Sequence, residues 1–122
     1  MSKKGVCLIT GVGPGTGSAL VRRFANGGYT VAMLARSVDR LEDLAAQTDG
    51  VHAFPCDVTD FEALGKTVED IRSSLGSPRI VIHNAVGGAL GSFREIDPAI
   101  LEKNFRVNTM ALLHLALSLI HI

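Results

Sequence analysis

The sequence predicts an α/β fold in which a parallel sheet is covered by helices on both faces. Short apolar runs alternate with segments whose apolar residues recur every three or four positions, the pattern of strands alternating with helices. The strand-like runs are almost continuously apolar, as expected for strands that are buried on both sides. A glycine-rich segment, residues 11–17, joins the first run to the first helical segment.

Four strands and three connecting helices follow from these patterns. The strands are predicted at residues 5–9, 29–35, 51–56 and 80–82. The first helix is predicted at residues 15–26, with a left-handed stop at Gly27 and Gly28. Ser37 is predicted to cap the second helix, and residues 59–62 match a capping box before the third. Connections of this kind imply right-handed βαβ units in one undivided domain.

The last predicted helix begins with Asp97 at the N-cap and Pro98 at the first helical position. Its apolar stripe is Leu101, Phe105, Leu112 and Leu115, and Asn108 falls within the same face. The closing apolar run, residues 111–122, is too short for a membrane span and predicts a buried or subunit-facing helix.

Composition narrows the range of functions. The 122 residues include 47% hydrophobic residues, and 12 Lys and Arg balance 12 Asp and Glu without charge runs. This balance predicts binding neither to nucleic acid nor to an anionic membrane. Cys7 and Cys56 are predicted to be small core residues and not a disulfide. Residues 1–4 lead directly into the first strand, which predicts no signal peptide and a cytoplasmic protein. No metal site is predicted.

The glycine-rich turn predicts a diphosphate site. Backbone without Cβ atoms allows an anion to approach, and a helix N-terminus directs free N–H groups towards it. No Lys-Ser or Lys-Thr follows the glycines, which excludes a P-loop, and G-x-G-x-x-G fits only as a near miss. The pattern Thr10-Gly11-x-x-x-Gly15-x-Gly17 fits, and it resembles the cofactor turn of the short-chain dehydrogenase/reductase family. A mobile glycine-rich loop is the alternative interpretation.

This resemblance implies a Rossmann-type sheet with the strand order 3-2-1-4, here truncated before a fifth strand. It also implies that Thr10, Gly11, Gly15, Thr16 and Gly17 bind a dinucleotide cofactor.

Arg36 predicts which dinucleotide is preferred. Many NAD-binding folds have a carboxylate at the end of the second strand, whereas this chain has Ala35 followed by Arg36 and Ser37. A guanidinium can bind a 2′-phosphate through charge-assisted hydrogen bonds, and the Ser37 hydroxyl can add another. NADP(H) is therefore predicted over NAD(H), the alternative being a solvated arginine at a helix start.

Two further pairs resemble family positions. Asp57-Val58 resembles the acidic-apolar pair beside the adenine, although Asp57 can also be read as a secondary helix cap. Asn84-Ala85 matches part of the family's Asn-Asn-Ala-Gly, which implies that Asn84 fixes the strand ends beside the cofactor. His83 and Val86 depart from that pattern, and the glycine comes one place late at Gly87. His83 is predicted to be a packed strand-end residue.

Asn108 is the candidate catalytic residue. A buried amide on an apolar helix face is costly unless its hydrogen bonds are matched. Val107-Asn108 resembles the family's active-site Asn, which implies a part in holding a proton-relay water. An Asn bonded into a neighbouring loop is the alternative.

The family's other catalytic residues, a Ser and a Tyr-x-x-x-Lys, are absent from this chain, whose one tyrosine is Tyr29. Residues 1–116 are therefore interpreted as the N-terminal, dinucleotide-binding part of a family domain. Residues 117–122 match a translated transposon-end adapter and are interpreted as a non-native tail, with a natural shortened form as the alternative.

The predicted function is the cofactor-binding half of an NADP(H)-dependent oxidoreductase that acts on an alcohol or carbonyl by hydride transfer. The chain alone is expected to be inactive, and its parent is expected to be a homo-oligomer. A non-catalytic NADP-sensing or interaction module is the alternative function.

Overall fold

A computed structural model describes residues 4–120, so residues 1–3 and 121–122 lie outside it, together with the parts of the leader and tail predictions that fall on them. The strands are β1 (Val6–Thr10), β2 (Thr30–Ala35), β3 (Val51–Pro55) and β4 (Pro78–His83). The helices are α1 (Thr16–Asn26), α2 (Val38–Gln47), α3 (Phe61–Ser74), α4 (Pro98–Phe105) and α5 (Ala111–Leu119). Between α4 and α5 lies a five-residue π-helical segment, Arg106–Met110, called the π-turn below.

The four strands form one parallel sheet in the order β3-β2-β1-β4, which confirms the predicted fold class and strand order. β4 begins at Pro78, two residues before the predicted start. Its pairing with β1 shifts between Val6 and Cys7, where Arg79 is the additional residue of β4. Proline is tolerated there because it is the first residue of a strand that pairs on one side with β1.

Both faces of the sheet carry a buried core. One core joins Leu8 and Leu34 to residues of α3 and α5, including Leu64, Val68 and Leu115. The other joins Ile9 and Met33 to α1 and α2. Successive strand residues point to opposite faces, so a continuously apolar strand supplies both cores.

The two cysteines lie in different cores. Cys7 is in the core under α1 and α2, and Cys56 is in the core under α3 and α5. Both are free thiols, as predicted. Burial raises the pKa of Cys7 to about 11 and also raises the pKa of Cys56.

The predicted capping box before α3 is wrong in one respect. Asp60, not Thr59, is the N-cap, and its carboxylate accepts a hydrogen bond from the Ala63 N–H at 3.1 Å. Thr59 stands one residue before the N-cap, and its hydroxyl donates to Asp57 Oδ1 at 2.8 Å. Ser37 occupies the N-cap of α2 as predicted, but its hydroxyl makes no capping hydrogen bond. Asp97 caps α4 as predicted.

Replacing Asp60 with alanine is expected to lower the free energy of unfolding by about 1 kcal/mol, the usual cost of losing an N-cap acceptor. Thr59→Ala is the matched comparison, and its cost should be smaller because the Thr59 hydroxyl bonds to Asp57 and accepts no N–H of the helix. Urea unfolding followed by circular dichroism measures both. A larger cost for Thr59→Ala would restore the original capping box.

The predicted apolar stripe of the last helix is wrong at three of its four positions, since Leu115 alone among them is part of the core. Leu115 is 1% exposed, but Leu101 is 59% and Phe105 57% exposed. The π-turn adds a residue to the helix, which rotates the side chains before it relative to those after it. The residues that reach the core are instead Val107, Ala111, Leu115 and Leu119, spaced four apart. Within residues 4–120, no helix has both the length and the apolar character needed to cross a membrane.

Candidate functional site

A cleft of about 760 Å³ opens at the carboxyl edge of the sheet. The segments that follow all four strands contribute to its walls, together with α4. In open α/β sheets this edge is the usual ligand site, beside the point where the strand order reverses. Here the reversal lies between β1 and β4. Every predicted site residue except Thr10 and Asn108 lines the cleft: Gly11, Gly15, Thr16, Gly17, Arg36, Ser37, Asp57, Val58, Asn84 and Ala85.

The motif glycines have different roles. A Cβ on Gly11 would lie 2.4 Å from the Ala85 backbone nitrogen, and the φ of Gly11 is +70°. A Cβ on Gly17 would lie 2.6 Å from the Gly11 carbonyl oxygen. Gly11 and Gly17 therefore permit close backbone packing, a role that the general argument from the sequence did not include. Gly15 is the exception, because a Cβ there would meet nothing within 4 Å.

Gly15 stands at the N-cap of α1 and is exposed. The first turn of a helix leaves N–H groups without intrahelical partners. The Ser18 hydroxyl donates to the Gly13 carbonyl and so fixes the turn that precedes these groups. Gly15 and Thr16 thus combine open space with the positive end of a helix dipole.

Thr10 lies behind the cleft wall and is fully buried. Its hydroxyl oxygen accepts hydrogen bonds from the backbone N–H groups of Asn84 at 3.1 Å and Ala85 at 3.2 Å. The Asn84 side-chain amide donates to the Gly11 carbonyl at 3.1 Å. These bonds join the ends of β1 and β4, so Thr10 and Asn84 hold the strand ends together beside the glycine turn.

Two guanidinium groups flank the start of α2. Arg36 and Ser37 follow β2 and line the cleft, as predicted. Arg40, which the sequence analysis missed, also lines it, and its Nη1 lies 3.7 Å from the position of a Cβ on Gly13. A cation in the first turn of a helix interacts unfavourably with the positive end of the helix dipole. The presence of Arg40 at such a position was therefore the sequence signal for a functional role. In the part of the chain that the structure describes, the ion pair found is Arg72–Glu69, so neither arginine has an acidic partner.

Asp57 follows β3, the strand next to β2 in the sheet, and also lines the cleft. Its Oδ1 accepts the Thr59 N–H at 3.0 Å and the Thr59 hydroxyl at 2.8 Å. These two bonds hold the pKa of Asp57 below its ordinary value, with a smaller contribution from the positive charges of Arg36 and Lys103. Val58 is buried beneath it. Asp57 does not cap α3, so the secondary-cap alternative is not supported.

This lowered pKa predicts a pH dependence of stability. A carboxyl group whose pKa is depressed by folding stabilises the native state above its unfolded pKa, about 3.9, and loses that contribution as the pH falls through the folded value. Asp57→Asn removes the titration but keeps an acceptor oxygen. The difference in unfolding free energy between wild type and Asp57→Asn should therefore be greatest above about pH 5 and should shrink in acid. Urea unfolding at several pH values measures this difference, and an unchanged difference down to pH 2 would contradict the prediction.

Asn108 is exposed, contrary to the expectation that it is buried. The π-turn takes it off the apolar face. Its amide oxygen accepts the Gly87 N–H at 2.8 Å, and its amide nitrogen donates to the Gly87 carbonyl at 3.0 Å. These two bonds match the alternative interpretation, in which the Asn is bonded into a neighbouring loop. Its predicted catalytic role stays a prediction.

The glycine of the loop after β4 comes one place later than in the family pattern, at Gly87, and this position has a physical reason. A Cβ on Gly87 would lie 2.6 Å from Asn104 Oδ1, so glycine leaves room for this side chain. Asn104, Ile100 and Lys103 bring α4 into the cleft wall, and the sequence analysis missed all three. Ile100 and Asn104 are one helical turn apart, but no motif marks them.

Comparison with known proteins identifies the family. Residues 5–122 match the family model described as short chain dehydrogenase. The chain belongs to the short-chain dehydrogenase family. The strand order is therefore that of a family member, and the family includes NAD(P)-dependent oxidoreductases.

Several short-chain dehydrogenase relatives are similar to this chain. An uncharacterized oxidoreductase of Caenorhabditis elegans is 35% identical over 99 residues, covering 76% of this chain and 32% of the relative. D-erythrulose reductase of Gallus gallus is 28% identical over 109 residues, covering 89% of this chain and 43% of the relative.

Solved structures of the family superpose closely. A short-chain dehydrogenase from Streptomyces avermitilis has a TM-score of 0.90 and 30% identity, covering 98% of this chain and 44% of that one. The 3-ketoacyl-(acyl-carrier-protein) reductase of Brucella melitensis, complexed with NADH, has a TM-score of 0.89 and 26% identity, covering 97% and 49% respectively. This chain thus spans less than half the length of these relatives.

Proposed function

We propose that this chain is the cofactor-binding part of an NADP(H)-dependent oxidoreductase that acts on an alcohol or carbonyl substrate. The observation that carries the proposal is the cleft wall formed by Arg36, Ser37 and Arg40, which faces the open Gly15 turn and contains no carboxylate at the end of β2. The bound cofactor would supply the hydride that is exchanged with the substrate carbon.

The residues present fit the diphosphate of such a cofactor. Gly15 leaves its Cβ position empty, and the first turn of α1 offers backbone N–H donors beside Thr16. Gly17 supports this fit indirectly because it lets the start of α1 pack on the Gly11 carbonyl, and Gly11 because it lets the turn pack on the backbone after β4.

The preference for a 2′-phosphate rests on charge. Arg36 and Arg40 both line the cleft and have no acidic partner within ion-pair distance among residues 4–120. Each charge-assisted hydrogen bond to a phosphate contributes about 1.5–3 kcal/mol. NADH lacks this phosphate, so the two guanidinium groups favour NADPH.

The remaining predicted residues have roles consistent with the same cofactor. Asp57 has one carboxylate oxygen outside its bonds to Thr59 and can accept from the adenine amino group, beside the apolar Val58. Asn84 and Ala85 keep the end of β4 against the turn. Asn108 holds Gly87 at the far end of the cleft, where the proposal places the substrate side.

We infer that this chain binds the cofactor without turning substrate over. Its one tyrosine, Tyr29, precedes β2 and packs edge-on against Phe24 at 5.6 Å. It therefore lies at the amino edge of the sheet, opposite the cleft, and cannot act as a general acid there. A nucleotide-sensing module would also bind the cofactor without turnover. Such a module is therefore the second candidate function.

Titration of the chain with NADPH and with NADH tests the proposal. We expect saturable binding of both, with NADPH at least about tenfold tighter, the factor that one charge-assisted bond represents. Equal affinities would overturn the NADP(H) preference, and no saturable binding of either would overturn the cofactor site. Turnover of a simple carbonyl with NADPH would contradict the inferred inactivity.

Three further expectations belong to this proposal. They are a homo-oligomeric parent protein, a cytoplasmic location, and a non-native origin for residues 117–122, which follow a dinucleotide-binding part at residues 1–116.

A further inference from the structure

A partly buried hydrogen-bond chain runs from the glycine turn to the π-turn through His83. Thr10 Oγ1 already accepts two backbone N–H groups, from Asn84 and Ala85. A hydroxyl oxygen has two lone pairs, so its own proton is left to donate. The atom it can donate to is His83 Nδ1, at 2.8 Å. His83 Nδ1 is therefore an acceptor and carries no proton.

The other ring nitrogen fixes the tautomer independently. His83 Nε2 lies 3.0 Å from the carbonyl oxygen of Val107. A carbonyl oxygen only accepts, so Nε2 must carry the proton. The partners at both ends of the ring thus agree on one form, the neutral imidazole protonated at Nε2.

The carbonyl that His83 reaches is one that the π-turn releases. In a regular α-helix the Ala111 N–H would donate to the Val107 carbonyl, four residues back. Here it donates to the Arg106 carbonyl, five residues back. His83 supplies Val107 with a donor in place of the one that the helix has withdrawn.

The π-turn carries Asn108 towards the cleft. Asn108 follows Val107 directly, and its amide holds both backbone polar groups of Gly87, a residue of the cleft wall. Single π-turns inside helices are frequent at functional sites, where they redirect a side chain. A bond that fixes Val107 therefore also fixes the direction of Asn108.

The π-turn has a second anchor that does not involve His83. The Arg106 guanidinium lies over the Phe61 ring at 4.2 Å, and its Nε donates to the Thr59 carbonyl at 3.3 Å. This anchor ties the segment to the loop before α3. Loss of the His83 bonds should therefore shift Asn108 and Gly87 without detaching the helix.

We propose that His83 is a positioning residue that couples the cofactor turn, through Thr10, to the π-turn that directs Asn108 and Gly87. This deepens the proposed function and rests on it for the cofactor readout only. The amide of His83→Gln offers an acceptor oxygen and a donor nitrogen and is the rescue variant. His83→Phe keeps a planar ring but has neither, so it removes both bonds.

Two NMR measurements test the coupling without any cofactor. In the wild-type chain, ¹⁵N-edited spectra should show His83 fixed as the Nε2–H tautomer. His52, exposed on β3, is the internal control and should show averaged ring nitrogens. His83→Phe should shift the Asn108 side-chain amide and the Gly87 backbone amide signals, and His83→Gln should return them towards wild type. An Nδ1–H tautomer, or unshifted Asn108 and Gly87 signals in folded His83→Phe, would overturn the proposal.

A third measurement connects the coupling to the cleft. His83→Phe should weaken NADPH binding about fivefold, the factor of one neutral hydrogen bond, and His83→Gln should recover most of the loss. Equal weakening by both variants would overturn the positioning role. If wild type binds no NADPH, the proposed function fails, whereas the tautomer and the amide shifts still decide the role of His83. If His83→Phe does not fold, the tautomer and the signals of His83→Gln decide it.

Discussion

Gly11→Ala is expected to lower the free energy of unfolding by at least about 3 kcal/mol, a large part of the 5–15 kcal/mol typical of a domain. An alanine at the observed φ of +70° costs roughly 1–2 kcal/mol by itself. Its methyl group would also lie 2.4 Å from the Ala85 backbone nitrogen, and backbone cannot move aside as a flexible side chain can. Urea unfolding at equilibrium measures the loss.

Gly15→Ala is the matched control, because it adds the same methyl group to the same turn. Its Cβ meets nothing within 4 Å, so the unfolding free energy should change by less than about 1 kcal/mol. NADPH affinity should nevertheless fall at least about tenfold, since the methyl group fills the space assigned to the diphosphate. A Gly11→Ala variant as stable as wild type would contradict the packing role of Gly11. A Gly15→Ala variant that binds NADPH normally would place the diphosphate elsewhere.

The double substitution Ala35→Asp with Arg36→Ile is expected to reverse the cofactor preference. NADPH affinity should fall about 10- to 100-fold, because a charge-assisted bond worth about 1.5–3 kcal/mol is lost and a carboxylate then repels the 2′-phosphate. NADH affinity should rise, since the new carboxylate can accept hydrogen bonds from the adenosine ribose. Titration of both cofactors into the variant measures the reversal.

Two single variants separate local from general charge effects. Arg40→Ala should weaken NADPH binding while leaving NADH binding within about twofold, if its guanidinium shares the phosphate. Arg22→Ala removes a positive charge from an exposed position of α1 that does not line the cleft, and it should change neither affinity. Parallel losses for both cofactors in the double variant would remove the argument for NADP(H).

The strands and the two covered faces of the sheet were predictable because their signals are local. Each strand of the pattern 3-2-1-4 is a short apolar run bounded by glycine, proline or a polar cap, and the βαβ handedness follows from physics alone. The family resemblance supplied the order in which the strands lie. The positions of Arg36, Asp57 and Asn84 on the cleft then followed, since the carboxyl ends of parallel strands meet at one edge.

The sequence predictions fail where contacts between residues far apart in the chain override the local sequence pattern. The π-turn between α4 and α5 cannot be read from residues 101–115, because its extra residue is stabilised by His83, Arg106 and Asn108 through partners far along the chain. The burial predicted for Asn108 and for the stripe from Leu101 fails for this reason. The capping residue of α3 was misassigned because the helix begins at Phe61, one residue later than a cap at Thr59 implies. Arg40 was missed because no spacing rule connects it to Gly13.

The placement of the two thiols in separate cores has a consequence for chemical labelling. A pKa of about 11 leaves only about one Cys7 in ten thousand as the reactive thiolate at pH 7. Cys7 is fully buried, so its alkylation must wait until α1 and α2 separate from the sheet, whereas Cys56 is 8% exposed and also lines the cleft. The rate of Cys7 alkylation therefore reports how often the α1 and α2 side of the sheet opens.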